Sequence, residues 1–394
     1  MTDSALITKL YADARALVPL IRARQNETAS LGRLPDDTIK AMQEAGFFRI
    51  MQPKRYGGFE LEPHIFFDVQ QILAEGCMST AWVLGVVAIH NWQMGMYDDR
   101  AQKDVWGEDD ATLISSSYMP VGKVTHVDGG YMLSGHWGFS SGSKHCKWAF
   151  LGGMVPPKND GEAPDYRTFL VPISDYQIVD NWDVSGLEGT GSNDIIIKEP
   201  VFVPEYRTHR AQDGFTGLNP GCAVNTSYSF TMPFGQIFVR AVACSSIGAL
   251  KGVVDSYIAV NKDRVGLNDG AKIAMDPNAQ MALAEAVACI DECRAILKQD
   301  LDFFVDNAKA KNELDINERI LRRFNASRIS RKCADAVNDM FIACGAQGIF
   351  RGHPLNRAWL DINAGRTHVA NNPFKFGRNL GATLMGQPNT DFFL

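Results

Sequence analysis

Thr112-Leu113-Ile114-Ser115-Ser116-Ser117-Tyr118, then Asp128-Gly129-Gly130, then Tyr131-Met132-Leu133-Ser134-Gly135-His136-Trp137 is the stretch on which the fold turns. Apolar and small polar residues here follow the period of strands, and the Asp-Gly-Gly step is a turn signal between them. Further strands are expected at Trp148 to Val155, Arg167 to Ile173 and Asp194 to Val203, separated by Pro, Asn, Asp and Gly. Residues 111–223 therefore read as a compact β domain, a barrel or sandwich.

On either side the period is helical. In residues 1–110, Arg33-Leu34-Pro35-Asp36-Asp37 opens a helix with Pro and acids in its first turn, and Gly46 closes it. The run from Ile65 to Met96 continues in Ala, Leu, Val and Met. In residues 224–394, Leu283, Val287, Ile290, Leu297, Leu301 and Phe304 keep spacings of three, four or seven, which puts them on one face of a long helix. Helices over Phe238 to Lys262, Pro277 to Lys309, Asn317 to Cys344 and Pro354 to Ala370 would form an antiparallel four-helix bundle. The fold class is α+β, mostly α, in the order helices, strands, helices.

With 394 residues of which 45% are hydrophobic, the chain can bury a core large enough for two or three domains. A net charge of -6 gives no electrostatic reason to expect nucleic acid or an anionic membrane as partner. The N-terminal MTDSALITKLYADARALVPLIRARQ mixes charges into its apolar positions, and no later segment reads as a bilayer span, so a cytoplasmic enzyme is expected. Eight scattered cysteines read as buried free thiols without disulfides. Cys289 and Cys293, one helical turn apart, could share a metal. No His or Cys lies nearby in sequence to join them, so no metal is expected.

Neither a dinucleotide fingerprint nor a P-loop is present, so any NAD(P)H would be used by another polypeptide. Gly186 to Ser192 is glycine-rich with the wrong spacing and reads as a loop. Gly138-Phe139-Ser140-Ser141-Gly142 has the string of a nucleophile elbow but is followed by polar Ser143-Lys144-His145, so it reads as a strand end. What stands out is a set of polar residues inside apolar segments: His90, Ser115 to Ser117, Ser140-Ser141 and His368. Singly each reads as a hydrogen-bonded structural residue; together they suggest a polar-lined pocket.

Gln52-Pro53-Lys54-Arg55-Tyr56-Gly57-Gly58, Trp137 to Gly142, and Ala346-Gln347-Gly348 with Asn356-Arg357 and Asp361, in that order, resemble the acyl-CoA dehydrogenase superfamily over essentially the whole chain. Ser79 to Trp82, His90-Asn91-Trp92, Ile114 to Pro120, Gly138 to Gly142 and Ala364 to Pro373 resemble its group of two-component flavin-dependent monooxygenases, which includes p-hydroxyphenylacetate and secosteroid hydroxylases. The carboxylate that dehydrogenases use as base is missing: Asn363 to Thr367 holds no acid, nor does Phe234 to Val254.

The resemblance implies an acyl-CoA dehydrogenase-like fold and flavin contacts from Trp82, Ser116, Ser117, Phe139, Ser140, Ser141, Arg264, Ala346, Gln347, His368 and Val369. Arg264 would meet the flavin phosphate. It also implies reduced FMN or FAD, O2 as co-substrate, a separate NAD(P)H:flavin reductase and a homotetramer sharing its flavin sites. A C4a-hydroperoxyflavin would then hydroxylate a phenol ortho to its oxygen. The catalytic residues implied are His90 and Ser116 toward the phenol, Ser141 at the flavin N5 and His368 at the peroxide. Asn372 stands where the group has an acid, and Ser143-Lys144-His145 replaces its Cys-Asp-His, so contacts of those acids are not inherited. Gly235 stands where p-hydroxyphenylacetate hydroxylase has Arg, which argues against a carboxylated phenol. The competing readings are an acyl-CoA dehydrogenase or oxidase, a monooxygenase acting on nitrogen or sulfur, and a flavin-binding protein without activity.

Overall fold

The computed structural model describes residues 2–159, 161–266 and 270–394. Six helices come first: α1 (Asp3–Ala23), α2 (Gln25–Leu31), α3 (Asp36–Glu44), α4 (Pro63–Ala74), α5 (Met78–Met94) and α6 (Asp99–Trp106). α3 starts where Pro35 and the two aspartates place it, and the chain leaves through Gly46 at φ 79. α5 is different in kind. All of its 17 residues are buried, so it has no solvent face and runs through the interior.

Seven strands follow: β1 (Ile114–Val127), β2 (Gly130–Ser140), β3 (Trp148–Val155), β4 (Asp165–Pro172), β5 (Gln177–Val179), β6 (Asn193–Pro204) and β7 (Thr208–Arg210), in the order β5-β6-β2-β1-β3-β4-β7. β1 changes partner along its length. Ile114 to Ser117 pair in parallel with β3, and Lys123 to Val127 pair antiparallel with β2. The sheet folds over so that Leu133 and Trp137 share one core with Ala149, Leu151 and Phe169. The Trp137 indole N–H donates to the Gly152 carbonyl at 2.8 Å across that core.

The chain returns to helices: α7 (Ala211–Thr216), α8 (Phe234–Ala241), α9 (Ser245–Asn261), α10 (Pro277–Ala310), α11 (Ile316–Cys344), α12 (Pro354–Arg366) and α13 (Pro373–Leu384). α9 to α12 pack as a four-helix bundle, with α13 against α11. The helix expected from Phe238 to Lys262 is in fact two, broken at residues 242–244. Contrary to expectation, Phe234–Asn261 does have the length and hydropathy of a membrane span, but 94% of its 18-residue apolar window is buried within the fold. Buried Arg240 explains how such a run stays in place: its guanidinium donates to Asp300 of α10 at 2.7 Å and to the Arg322 carbonyl of α11. The last helix of the bundle stops at Arg366 rather than Ala370, and β5, β7 and α13 were not expected from the pattern.

Candidate active site

α5 carries the two residues around which the site is built. Trp82 and His90 lie eight positions apart, about 12 Å along the axis at 1.5 Å per residue.

At the His90 end the ring is fully buried and its Nδ1–H donates to the Ile114 carbonyl at 2.7 Å. That bond fixes the tautomer of the neutral ring, leaving Nε2 as an acceptor; it is buried and has no partner among the described residues. Burial pushes the imidazole down to about 4, so it is neutral near pH 7. Aromatic rings enclose it: Phe238 stacked at 6.4 Å, with Tyr118 and Phe150 edge-on at 5.9 and 5.8 Å. Ser116 pairs with Phe150 across β1 and β3, so it shares that strand face with Phe150 and Tyr118. Tyr118 donates to Gln93 Oε1 at 2.5 Å, and its phenol, raised by burial, stays protonated.

At the Trp82 end the indole N–H donates to Ser141 Oγ at 3.3 Å. Ser141 Oγ lies 2.7 Å from Ser192 Oγ, which lies 2.8 Å from Thr190 Oγ1. His368 sets its ring edge-on to Trp82 at 5.8 Å. Its Nδ1 accepts from the Ala370 N–H at 3.1 Å, and burial, with Arg323 nearby, lowers it to about 4. The neutral ring therefore carries its proton on Nε2, the opposite tautomer from His90. Two features hold this end rigid. Gly142 sits at φ 69, and a Cβ there would lie 3.0 Å from Val87 and 3.1 Å from Val83, so only glycine lets β2 press on α5. Asp361 of α12 accepts from the Leu187 N–H at 2.6 Å, and Arg357 pairs with Glu188 at 2.9 Å, pinning the 187–192 loop that holds Ser141.

A flavin suits this end. Ser140 Oγ, next in sequence to Ser141, is buried without a partner among the described residues, and Phe139 and Val369, next in sequence to Ser140 and His368, are apolar side chains 69% and 67% exposed. Trp82, Phe139, Ser140, Ser141, His368 and Val369 belong to this end by sequence or contact; His90 and Ser116 belong to the other. Ser117 does not join Ser116. Alternation along β1 turns it to the opposite face, where its buried Oγ has no partner among the described residues.

Arg264, Ala346 and Gln347 form a separate group. Arg264 follows the far end of α9, donates to Asn261 Oδ1 at 3.0 Å and lies beside Cys344 and His353. Ala346 and Gln347 are exposed on the turn after Cys344. The opposite end of α9 meets the His368 loop, where Asn371 donates to the Val242 carbonyl at 2.9 Å. Some 17 residues of helix, about 25 Å, separate the two ends. The Arg264 group and the Trp82 group therefore sit toward opposite ends of α9.

Other residues at the site carried no sequence signal. Phe234 and Phe238, four apart on α8, line the His90 end with Tyr118. Phe393, from the segment after α13, packs edge-on to both at 5.8 and 6.2 Å. Its carbonyl would lie 2.9 Å from a Cβ at Gly235. A narrow cavity opens between Tyr118, Thr168, His209, Phe234 and Leu394, and none of its lining residues is acidic. Asn372 caps α13, accepting from the Phe374 and Lys375 N–H groups at 3.1 and 3.2 Å. His136 and His145 are peripheral, facing Asp194 and Asp36.

The helix-sheet-bundle order, with no acid in residues 234–254 or 363–367, defines a class: the acyl-CoA dehydrogenase fold without the dehydrogenase's carboxylate. The acyl-CoA dehydrogenase N-terminal domain matches residues 14–111 and the C-terminal domain residues 241–373. The chain is 38% identical over 379 residues, 95% of its length and 98% of the relative's, to the flavin-dependent monooxygenase oxygenase subunit HsaA of Rhodococcus jostii (strain RHA1). It is 32% identical over 394 aligned positions, covering 96% and 94% of the two chains, to the FADH2-dependent resorcinol hydroxylase oxygenase component of Rhizobium sp. (strain MTP-10005). The crystal structure of 3-HSA hydroxylase from Rhodococcus sp. RHA1 superposes with a TM-score of 0.93 at 35% identity, over 98% of this chain and 99% of that one. The chain belongs to the acyl-CoA dehydrogenase family and, within it, to the oxygenase components of flavin-dependent monooxygenases.

Proposed function

We propose that this oxygenase hydroxylates a phenolic substrate ortho to its oxygen, taking reduced FMN or FAD from a separate NAD(P)H:flavin reductase. The observation that carries this reading is His90: a neutral imidazole whose only free atom is an acceptor, buried in an aromatic box with the Ser116 face of β1. A phenol fits there. Its ring would lie among Tyr118, Phe234 and Phe238, and its O–H would donate to His90 Nε2.

The reduced flavin, when bound, supplies an electrophilic oxygen from O2 as its C4a-hydroperoxide. What the chain does is position and protect. A ring this reluctant to ionise does not hold a phenolate at rest; it accepts the phenol's proton as the aromatic carbon gives up electron density, when the phenol becomes more acidic. His368 Nε2–H and the Ser141 hydroxyl, with Trp82 behind it, present donors to the flavin side. Burial of α5 along its whole length keeps bulk water from both.

Arg264, Ala346 and Gln347 complete the flavin site of a neighbouring copy. The exposed apolar side chains Ile342, Ile349 and Phe350 flank Ala346 and Gln347, as a face covered in a homotetramer would.

Turnover with chemically reduced flavin, O2 and simple phenols tests the assignment. The expected product has gained one oxygen next to the hydroxyl. Oxygenation only at nitrogen or sulfur of heteroatom substrates, or acyl-CoA oxidation, would reject it.

A further inference from the structure

α10 and α11 lie side by side in the bundle, and three thiols converge where they meet. Cys289 and Cys293 stand one turn apart on α10, Cys333 reaches them from α11, and their sulfurs all lie within 4.8 Å of one another. Cys293 and Cys333 are 1% and 0% exposed, whereas Cys289 is half-buried, so the triangle is closed on its inner side and open on one. The group contains no imidazole or carboxylate. Lys332 and Glu292, next in sequence to Cys333 and Cys293, form an ion pair at its edge.

We propose that these three cysteines form a site for one thiophilic divalent cation, Zn(II), held by three thiolates with a fourth position open to solvent. Three sulfurs and no harder ligand select a soft ion over calcium or magnesium. Zn–S bonds of about 2.3 Å place tetrahedral ligands about 3.8 Å apart, a spacing that modest side-chain rotation reaches from the observed triangle. Bound Zn(II) and three thiolates give a cluster of net charge minus one, and binding releases one proton for each sulfur that is protonated beforehand. The site would cross-brace α10 and α11.

The test is anaerobic titration of the full-length, reduced, metal-free protein with Co(II), followed by displacement with Zn(II). The expected result is thiolate-to-cobalt charge-transfer absorption with intense visible bands of a tetrahedral site, saturating at one ion per chain. Zn(II) should abolish it, and the midpoint of thermal unfolding should rise with Zn(II). Cys333→Ser and Cys289→Ser should each weaken binding at least tenfold, whereas Cys222→Ser, at a half-buried thiol elsewhere, should leave it unchanged. If Cys333→Ser does not fold, the more exposed Cys289→Ser carries the comparison. Absence of the charge-transfer band in the wild-type protein, or its persistence at full strength in Cys289→Ser, would overturn the proposal.

Discussion

Trp82 and His90 share one buried helix, yet the polar groups around them are arranged in opposite senses. Around Trp82 the side chains form a relay of hydroxyls, Ser141 to Ser192 to Thr190, and His368 has its Nδ1 occupied so that Nε2 carries hydrogen. That end offers donors. Around His90 the Nδ1–H is spent on Ile114 and a bare Nε2 acceptor is left inside an aromatic box. An unpartnered buried polar atom costs about 1–3 kcal/mol, which a phenol O–H donating to Nε2 would recover. Donors suit the electron-rich oxygens and ring positions of a reduced flavin; an acceptor in an apolar box suits a phenol.

The contrast breaks most sharply at His90. His90→Asn keeps a donor for Ile114 in the place of Nδ1 and removes the Nε2 acceptor; product formation should fall about 10²- to 10⁴-fold, the usual reach of a general base, with reduced flavin still bound. Gly142→Ala comes next. A left-handed backbone at φ 69 and a Cβ 3.0 Å from Val87 should cost about 1–3 kcal/mol, read as a lower unfolding midpoint and weaker flavin retention. Ser141→Ala removes one hydrogen-bonding group from the donor end. A loss of about 1–1.5 kcal/mol corresponds to roughly tenfold more hydrogen peroxide released per product, measured by oxygen uptake against product.

The smallest effect concerns pH. Both imidazoles have folded values lowered to about 4 from an unfolded value near 6.5. Between those limits the unfolded chain binds more protons, so the stability these two groups contribute is present above 6.5 and is lost as pH falls toward 4. Asp361 has the opposite sign. Burial raises it to about 7, so its contribution is present below the ordinary carboxylate value and is lost as pH rises through 7. Asp361→Asn should therefore remove a fall in stability between about pH 4 and pH 7 and leave the slope above 7 unchanged, as chemical unfolding at a series of pH values would show.

Much of the fold was legible because its signals are local. The period of two from Thr112 to Trp137 and the period of 3.6 across Leu283 to Phe304 are set by neighbours in sequence, and both elements formed where the pattern put them. The His90 and Trp82 ends could be anticipated from motif resemblance, but their tautomers and their separation along α5 could not. Ser117 was grouped with Ser116 although strand alternation turns them apart. Phe393 and Leu394 lie in a segment with no periodicity, and only the close approach allowed by Gly235 brings them to the pocket. The cysteine cluster was missed for the same reason. A ligand search along the sequence around Cys293 stops short of Cys333, which packing of α10 on α11 brings within reach.

Stopped-flow mixing of the reduced-flavin complex with oxygenated buffer, for wild type, His90→Asn and Ser141→Ala with and without a phenolic substrate, tests the division of labour along α5 most directly. The expected result is a long-lived oxygenated-flavin absorbance in wild type that decays faster when the phenol is present. In His90→Asn the same species should form and persist but lose its response to the phenol, and in Ser141→Ala it should decay about tenfold faster even without substrate. If His90→Asn shortens the species as much as Ser141→Ala, or if wild-type flavin reoxidises at its free-solution rate, the two ends do not do separate work and the assignment of roles is wrong.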